Sequence, residues 1–127
     1  MAEFTWDHTH IRTYDVPGTA AWFQEMLGAS AVQGTTVSEA RADLLIGGTR
    51  VIVTQVKQGD GTHPTPAIPY AGFEHFGLGV RELDKVAADL KAKGVEFTRE
   101  PETPRPGLRI CFIRSPQGIS IELLERA

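Results

Sequence analysis

Polar and apolar positions change their period several times along the chain, and each change marks an element. From Phe4 to Thr13 the alternation predicts a strand with Trp6, His8, His10 and Arg12 on one face. Val16, Ala20, Phe23 and Leu27 then recur at helical spacing, with Trp22 and Met26 widening the stripe. Asp15 suits the N-cap of that helix, Pro17 its first turn and Gly28 its end. Three strands are predicted next, over Ser30–Gln33, Glu39–Ile46 and Thr49–Lys57, the last two joined by a Gly47-Gly48 hairpin turn.

The stretch 58–72 is rich in Gly and Pro and has no sustained period. It reads either as a linker or as a loop that closes over a pocket. Beyond it the plan repeats. A strand is expected over Gly72–Val80, and Leu83, Val86, Ala87 and Leu90 mark a helix ending near Gly94. A strand over Val95–Glu100, a Pro-rich turn from Pro101 to Gly107, and a hairpin of Leu108–Arg114 with Gly118–Glu125 complete the chain. The halves align with few gaps: His8 falls on His75, Val16 on Leu83, Gly48 on Gly118 and Ile52 on Glu122. The expected fold class is α+β, with β-α-β-β-β modules over about 4–57 and 73–125 in a single domain spanning 1–127.

Composition narrows this picture. A chain of 127 residues fits one domain, and 41% hydrophobic residues suffice for a core. A net charge of −3 with no basic run argues against nucleic acid and acidic membranes as partners. Cys111 is alone, so no internal disulfide is expected. The start, Met1 to Trp6, lacks the basic and long apolar runs of a signal peptide. No apolar stretch approaches the ~20 residues that span a bilayer. A cytoplasmic protein is the expectation.

His8 and His75 hold equivalent places on the first strand of each half. One histidine on a strand is usually a hydrogen-bonded structural residue; two at symmetric places point to a shared metal. Imidazole suits Zn, Ni and Fe, and one carboxylate completes a common three-ligand set. Glu122, between Ile121 and Leu123, is the candidate carboxylate, since a charge on a buried strand needs a partner. The rival reading leaves it on a half-exposed edge, as expected of Glu125. His10 lies on the His8 face, about 6–7 Å further along, as a proton shuttle, a substrate contact or a plain bonded histidine. Arg12, Arg41 and Arg109 read either as contacts to an anionic substrate group or as solvated strand residues, and His63, in the long loop, either reaches over a pocket or lies in solvent. No Gly-rich phosphate loop, GxSxG, CxxC or HExxH is present.

The stretches DHTHIRTYDVPGTAAWFQEMLGA and SPQGISIELLE, inside duplicated β-α-β-β-β units, resemble the vicinal oxygen chelate superfamily. That group includes glyoxalase I, bleomycin-resistance proteins, methylmalonyl-CoA epimerase and extradiol dioxygenases. The resemblance implies an open, curved, incompletely closed barrel around a metal, and a homodimer. It also implies ligands from the first and last strand of each module, which fall here on His8, Ile52, His75 and Glu122. Ile52 cannot ligate. Gln55 is no substitute, because strand alternation turns it to the opposite face.

Two histidines and one glutamate resemble the facial triad of extradiol dioxygenases, with open positions for substrate oxygens and O2. Phe112 stands where that group usually has a tyrosine, and it joins Arg12, Arg41 and His63 as an expected substrate contact. The leading expectation is an oxygenase holding a divalent ion, Fe(II) first, with Zn(II), Ni(II) or Mn(II) as alternatives. A small substrate would chelate that ion through adjacent oxygens, with His10 moving a proton. The second is a glyoxalase I-like (lactoylglutathione lyase-like) or epimerase-like isomerisation, with Glu122 as the base. The third is a binding protein of the bleomycin-resistance type.

Overall fold

The computed structural model describes residues 2–127 and contains two compact units that divide between His63 and Pro64. Each unit is built on the same plan. In the first, β1 (His8–Thr13), α1 (Val16–Leu27), β2 (Ser30–Ala31), β3 (Arg41–Ile46) and β4 (Thr49–Gln55) make a four-stranded sheet in the order β1-β4-β3-β2. In the second, β5 (His75–Gly79), α2 (Leu83–Ala92), β6 (Glu96–Arg105), β7 (Leu108–Arg114) and β8 (Ser120–Arg126) give the order β5-β8-β7-β6. The first strand runs parallel to the last in both units, and the remaining pairs are antiparallel. The expected α+β class and both β-α-β-β-β repeats are therefore present.

Register confirms the repeat residue by residue. His8 sits opposite Arg50 and His10 opposite Ile52; His75 sits opposite Ser120 and Gly77 opposite Glu122. The same pairing thus recurs in both units, with Ile52 in the place of Glu122.

Local chemistry explains α1 well. The Asp15 carboxylate accepts from the Gly18 N–H at 3.0 Å, and Gly28 closes the helix at φ 70, in the left-handed region glycine tolerates. Val16, Ala20 and Phe23 are buried as expected, and so is Thr19, which the apolar stripe omits. The Thr19 hydroxyl donates to Asp15 O at 2.7 Å and shares a 2.9 Å hydrogen bond with the Thr13 hydroxyl, so its polarity is satisfied inside the core. Ile11, Val53, Ala42 and Leu44 complete that apolar layer. In the second unit Leu83, Ala87 and Leu90 pack with Cys111, Ile113, Ile121 and Leu123.

Several predicted boundaries move. β1 begins at His8 rather than Phe4, because the ladder ends where β4 turns back at Gly47-Gly48; Phe4 and Trp6 lie outside it, 92% and 69% exposed. β2 is only Ser30–Ala31. The expected turn from Pro101 to Gly107 contracts to Pro106-Gly107, since β6 continues to Arg105. Its pairing with β7 slips at successive points, and as the edge strand it can carry Pro101 and Pro104 without breaking an inner ladder.

Candidate functional site

In the first unit, Thr13 reaches Thr19 of α1, so odd-numbered β1 residues face the helix and His8, His10 and Arg12 face away. The register extends that outer face to Arg50, Ile52 and Thr54 on β4, then to Leu45, Asp43 and Arg41 on β3. Gln55 pairs with Thr13 and belongs to the helix side, as alternation predicts. The His8 and His10 rings lie 6.2 Å apart, and His10 Nε2 shares a 2.7 Å hydrogen bond with Thr54 Oγ1. Partial burial, then the charges of His8, Arg12 and Arg41, lower the His10 pKa below its usual 6.5. Its ring is consequently neutral near pH 7 and able to accept a proton.

Three guanidiniums, Arg12, Arg41 and Arg50, share this face with one carboxylate, Asp43. Arg41 holds Asp43 through Nε at 2.6 Å, which keeps that carboxyl below its usual pKa. A chain of net charge −3 thereby presents one locally positive face. No motif marks Arg50 in the sequence; the β1–β4 register places it beside His8.

In the second unit, Glu125 and Arg109 reach α2, so the opposite parity faces away from the helix: His75 on β5, Glu122 on β8, and Phe112 on β7. These three converge. His75 Nε2 lies 3.3 Å from Glu122 Oε1, and the His75 ring meets Phe112 edge to face at 4.9 Å. Gly77 stands directly opposite Glu122, and a Cβ there would lie 3.9 Å from Glu122 Oε1 and only 3.1 Å from Leu124 Cδ2. On its other side His75 Nδ1 lies 3.0 Å from Glu74 Oε1. The two ring nitrogens of His75 thus each face a carboxylate, Glu74 on one side and Glu122 on the other. His75 and Glu122 would be the residues to hold a divalent ion, since nitrogen with oxygen is a donor set for Zn, Fe, Ni or Mn.

Within neither unit do three His, Cys, Asp or Glu side chains converge in a metal-ready group among the described residues. His8 and the His75–Glu122 pair belong to different units. Arg109, an expected anion contact, is instead held by Asp84 of α2 through two bonds of 2.7 Å. His63 is exposed in the loop. Part of that loop belongs to the second unit: Thr65 Oγ1 donates to Gln117 O at 3.0 Å, and the Tyr70 hydroxyl donates to Phe73 O at 2.9 Å. No helix among the described residues is long and apolar enough to cross a membrane.

The repeated unit with outward-facing histidines on its first strands defines a class of protein. The chain belongs to the Glyoxalase/Bleomycin resistance protein/Dioxygenase superfamily, whose family model matches residues 5–123. Among sequences, it is 46% identical over 57 residues to a probable chloroplastic lactoylglutathione lyase of Arabidopsis thaliana, covering 44% of this chain and 16% of that one. This chain therefore spans less than a fifth of that relative's length. The uncharacterized protein YwkD of Bacillus subtilis is 28% identical over 122 residues, 94% of each chain. Among solved structures, the fosfomycin resistance protein FosX of Listeria monocytogenes has the same fold, with a TM-score of 0.72 at 18% identity over 100% of this chain and 95% of that one.

Proposed function

We propose that this protein is a divalent-metal-dependent enzyme in which His75 and Glu122 bind the ion; the aligned position of His8 in the repeat supports it as a further ligand. The observation that carries this reading is the 3.3 Å approach of His75 Nε2 to Glu122 Oε1. A bound ion supplies Lewis-acid polarisation of two adjacent oxygens on a small substrate. The chain's own residues supply the rest. Phe112, packed on His75, forms an apolar wall, and Arg12 attracts an anionic substrate group, whereas Arg41 is held by Asp43 as Arg109 is by Asp84. His10, held neutral and oriented by Thr54, takes up or returns a proton at the substrate.

Similarity to the lactoylglutathione lyase favours a redox-neutral isomerisation, with Glu122 or His10 as the base. The oxygenase reading is supported by a different observation, the apolar Ile52 at the repeat position that Glu122 holds in the second unit, which removes a fourth ligand.

Metal analysis of untagged protein, followed by two assays, tests this. The expected result is about one bound divalent ion per chain, lost in His8→Ala and His75→Ala and kept in His63→Ala. Equal effects of the three substitutions would refute the ligand set. Consumption of glyoxal–thiol adducts without O2 supports isomerisation, whereas oxygen uptake with catechols supports the oxygenase.

A further inference from the structure

The aromatic–acid–histidine triplets Trp6-Asp7-His8 and Phe73-Glu74-His75 have so far contributed only their histidines. Each acid makes the same contact: Asp7 Oδ2 lies 2.7 Å from His8 Nδ1, and Glu74 Oε1 lies 3.0 Å from His75 Nδ1. The two residue types differ in length, and the two contacts lie in different units, yet the same ring nitrogen is engaged in both.

We propose that Asp7 and Glu74 are positioning residues that fix His8 and His75 in the Nδ1–H tautomer and leave Nε2 of each as the metal-binding nitrogen. The inference rests on the ligand reading above. An ionised carboxylate has only acceptors, so the nitrogen facing it must carry the proton, and the lone pair of a neutral ring is then on Nε2. In His75 that is the atom turned to Glu122. Metal-bound histidines are commonly oriented by a carboxylate on the other ring nitrogen, which fixes the ring and raises its basicity. Here the orienting acid is the preceding residue in each repeat. Successive strand residues point to opposite faces. Asp7 and Glu74 each stand just before the first strand residue, where the chain is not held in a ladder and can fold the acid back onto its neighbour's ring.

The test combines nitrogen-15 NMR of the histidine rings in metal-free protein with zinc titration at one fixed pH. Wild-type protein should show His8 and His75 as Nδ1–H tautomers. Asp7→Ala and Glu74→Ala should shift their own neighbouring histidine toward Nε2–H and weaken zinc binding about tenfold. Glu74→Gln, which keeps an acceptor oxygen, should restore most of both. Unchanged tautomers and affinity in the alanine variants, beside loss of zinc in His75→Ala, would overturn the positioning role alone. Unchanged zinc binding in His75→Ala would overturn the ligand set and this role together.

Discussion

At the scale of single residues, the same side-chain type does different work according to the face it occupies. Cys111 and Phe112 are neighbours on β7, yet Phe112 meets His75 while Cys111 is fully buried on the helix side with Leu123 and Ile113. Burial, then the nearby charges of Glu100 and Asp84, pushes the Cys111 thiol up to about 11. The thiolate is the reactive form, so Cys111 is inert in the native protein. A chromogenic disulfide reagent at pH 8 should leave the folded chain unmodified and label one thiol per chain in denaturant. Fast labelling without denaturant would contradict this burial. His8, His75 and Glu122 could be picked out from the sequence because they are chemically distinctive at aligned positions. The part played by Thr54 could not, because a hydroxyl on a strand has no pattern until its partner, His10, is known.

Helices α1 and α2 occupy equivalent places and are capped in opposite ways. α1 carries its own cap, Asp15, one residue before its start. α2 has no side-chain cap of its own, and its N-cap, Glu82, is a non-glycine residue at φ 54. The Glu125 carboxylate accepts instead from the Glu82 N–H at 3.0 Å and the Leu83 N–H at 3.1 Å, from 43 and 42 residues away in sequence. Glu125, expected on a half-exposed edge, ties the end of β8 to the start of α2. Glu125→Ala should therefore cost about 1 kcal/mol in urea unfolding, within the range of ordinary N-cap losses. Glu125→Gln, which keeps one acceptor, should cost less. An alanine variant as stable as wild type would remove the cap from the account.

For the whole molecule, the proposed ligand set has a thermodynamic consequence that needs no substrate. An ion that binds the folded chain and not the unfolded one stabilises it by mass action, about 2.7 kcal/mol at a hundred times its dissociation constant. Zinc at that excess should raise the calorimetric melting temperature of wild type and of His63→Ala. It should leave His75→Ala and Glu122→Ala unmoved. A rise of equal size in all four would place the ion elsewhere.

The sequence by itself determined the repeat, the two helices, the hairpin at Gly47-Gly48 and the face on which His8, His10 and Arg12 lie. All of these follow from local periodicity, caps and turn residues, which act over a few positions. Tertiary structure decided where each ladder stops, because a strand lasts only as long as its partner: β1 waits for Arg50, and β6 runs on through two prolines because β7 lies beside it. It also decided which polar groups meet. Arg109 was claimed by Asp84, Glu125 by the start of α2, and His75 by Glu74 and Glu122. Such pairings join residues distant in sequence or depend on where a strand begins, and neither is written in the period of the chain.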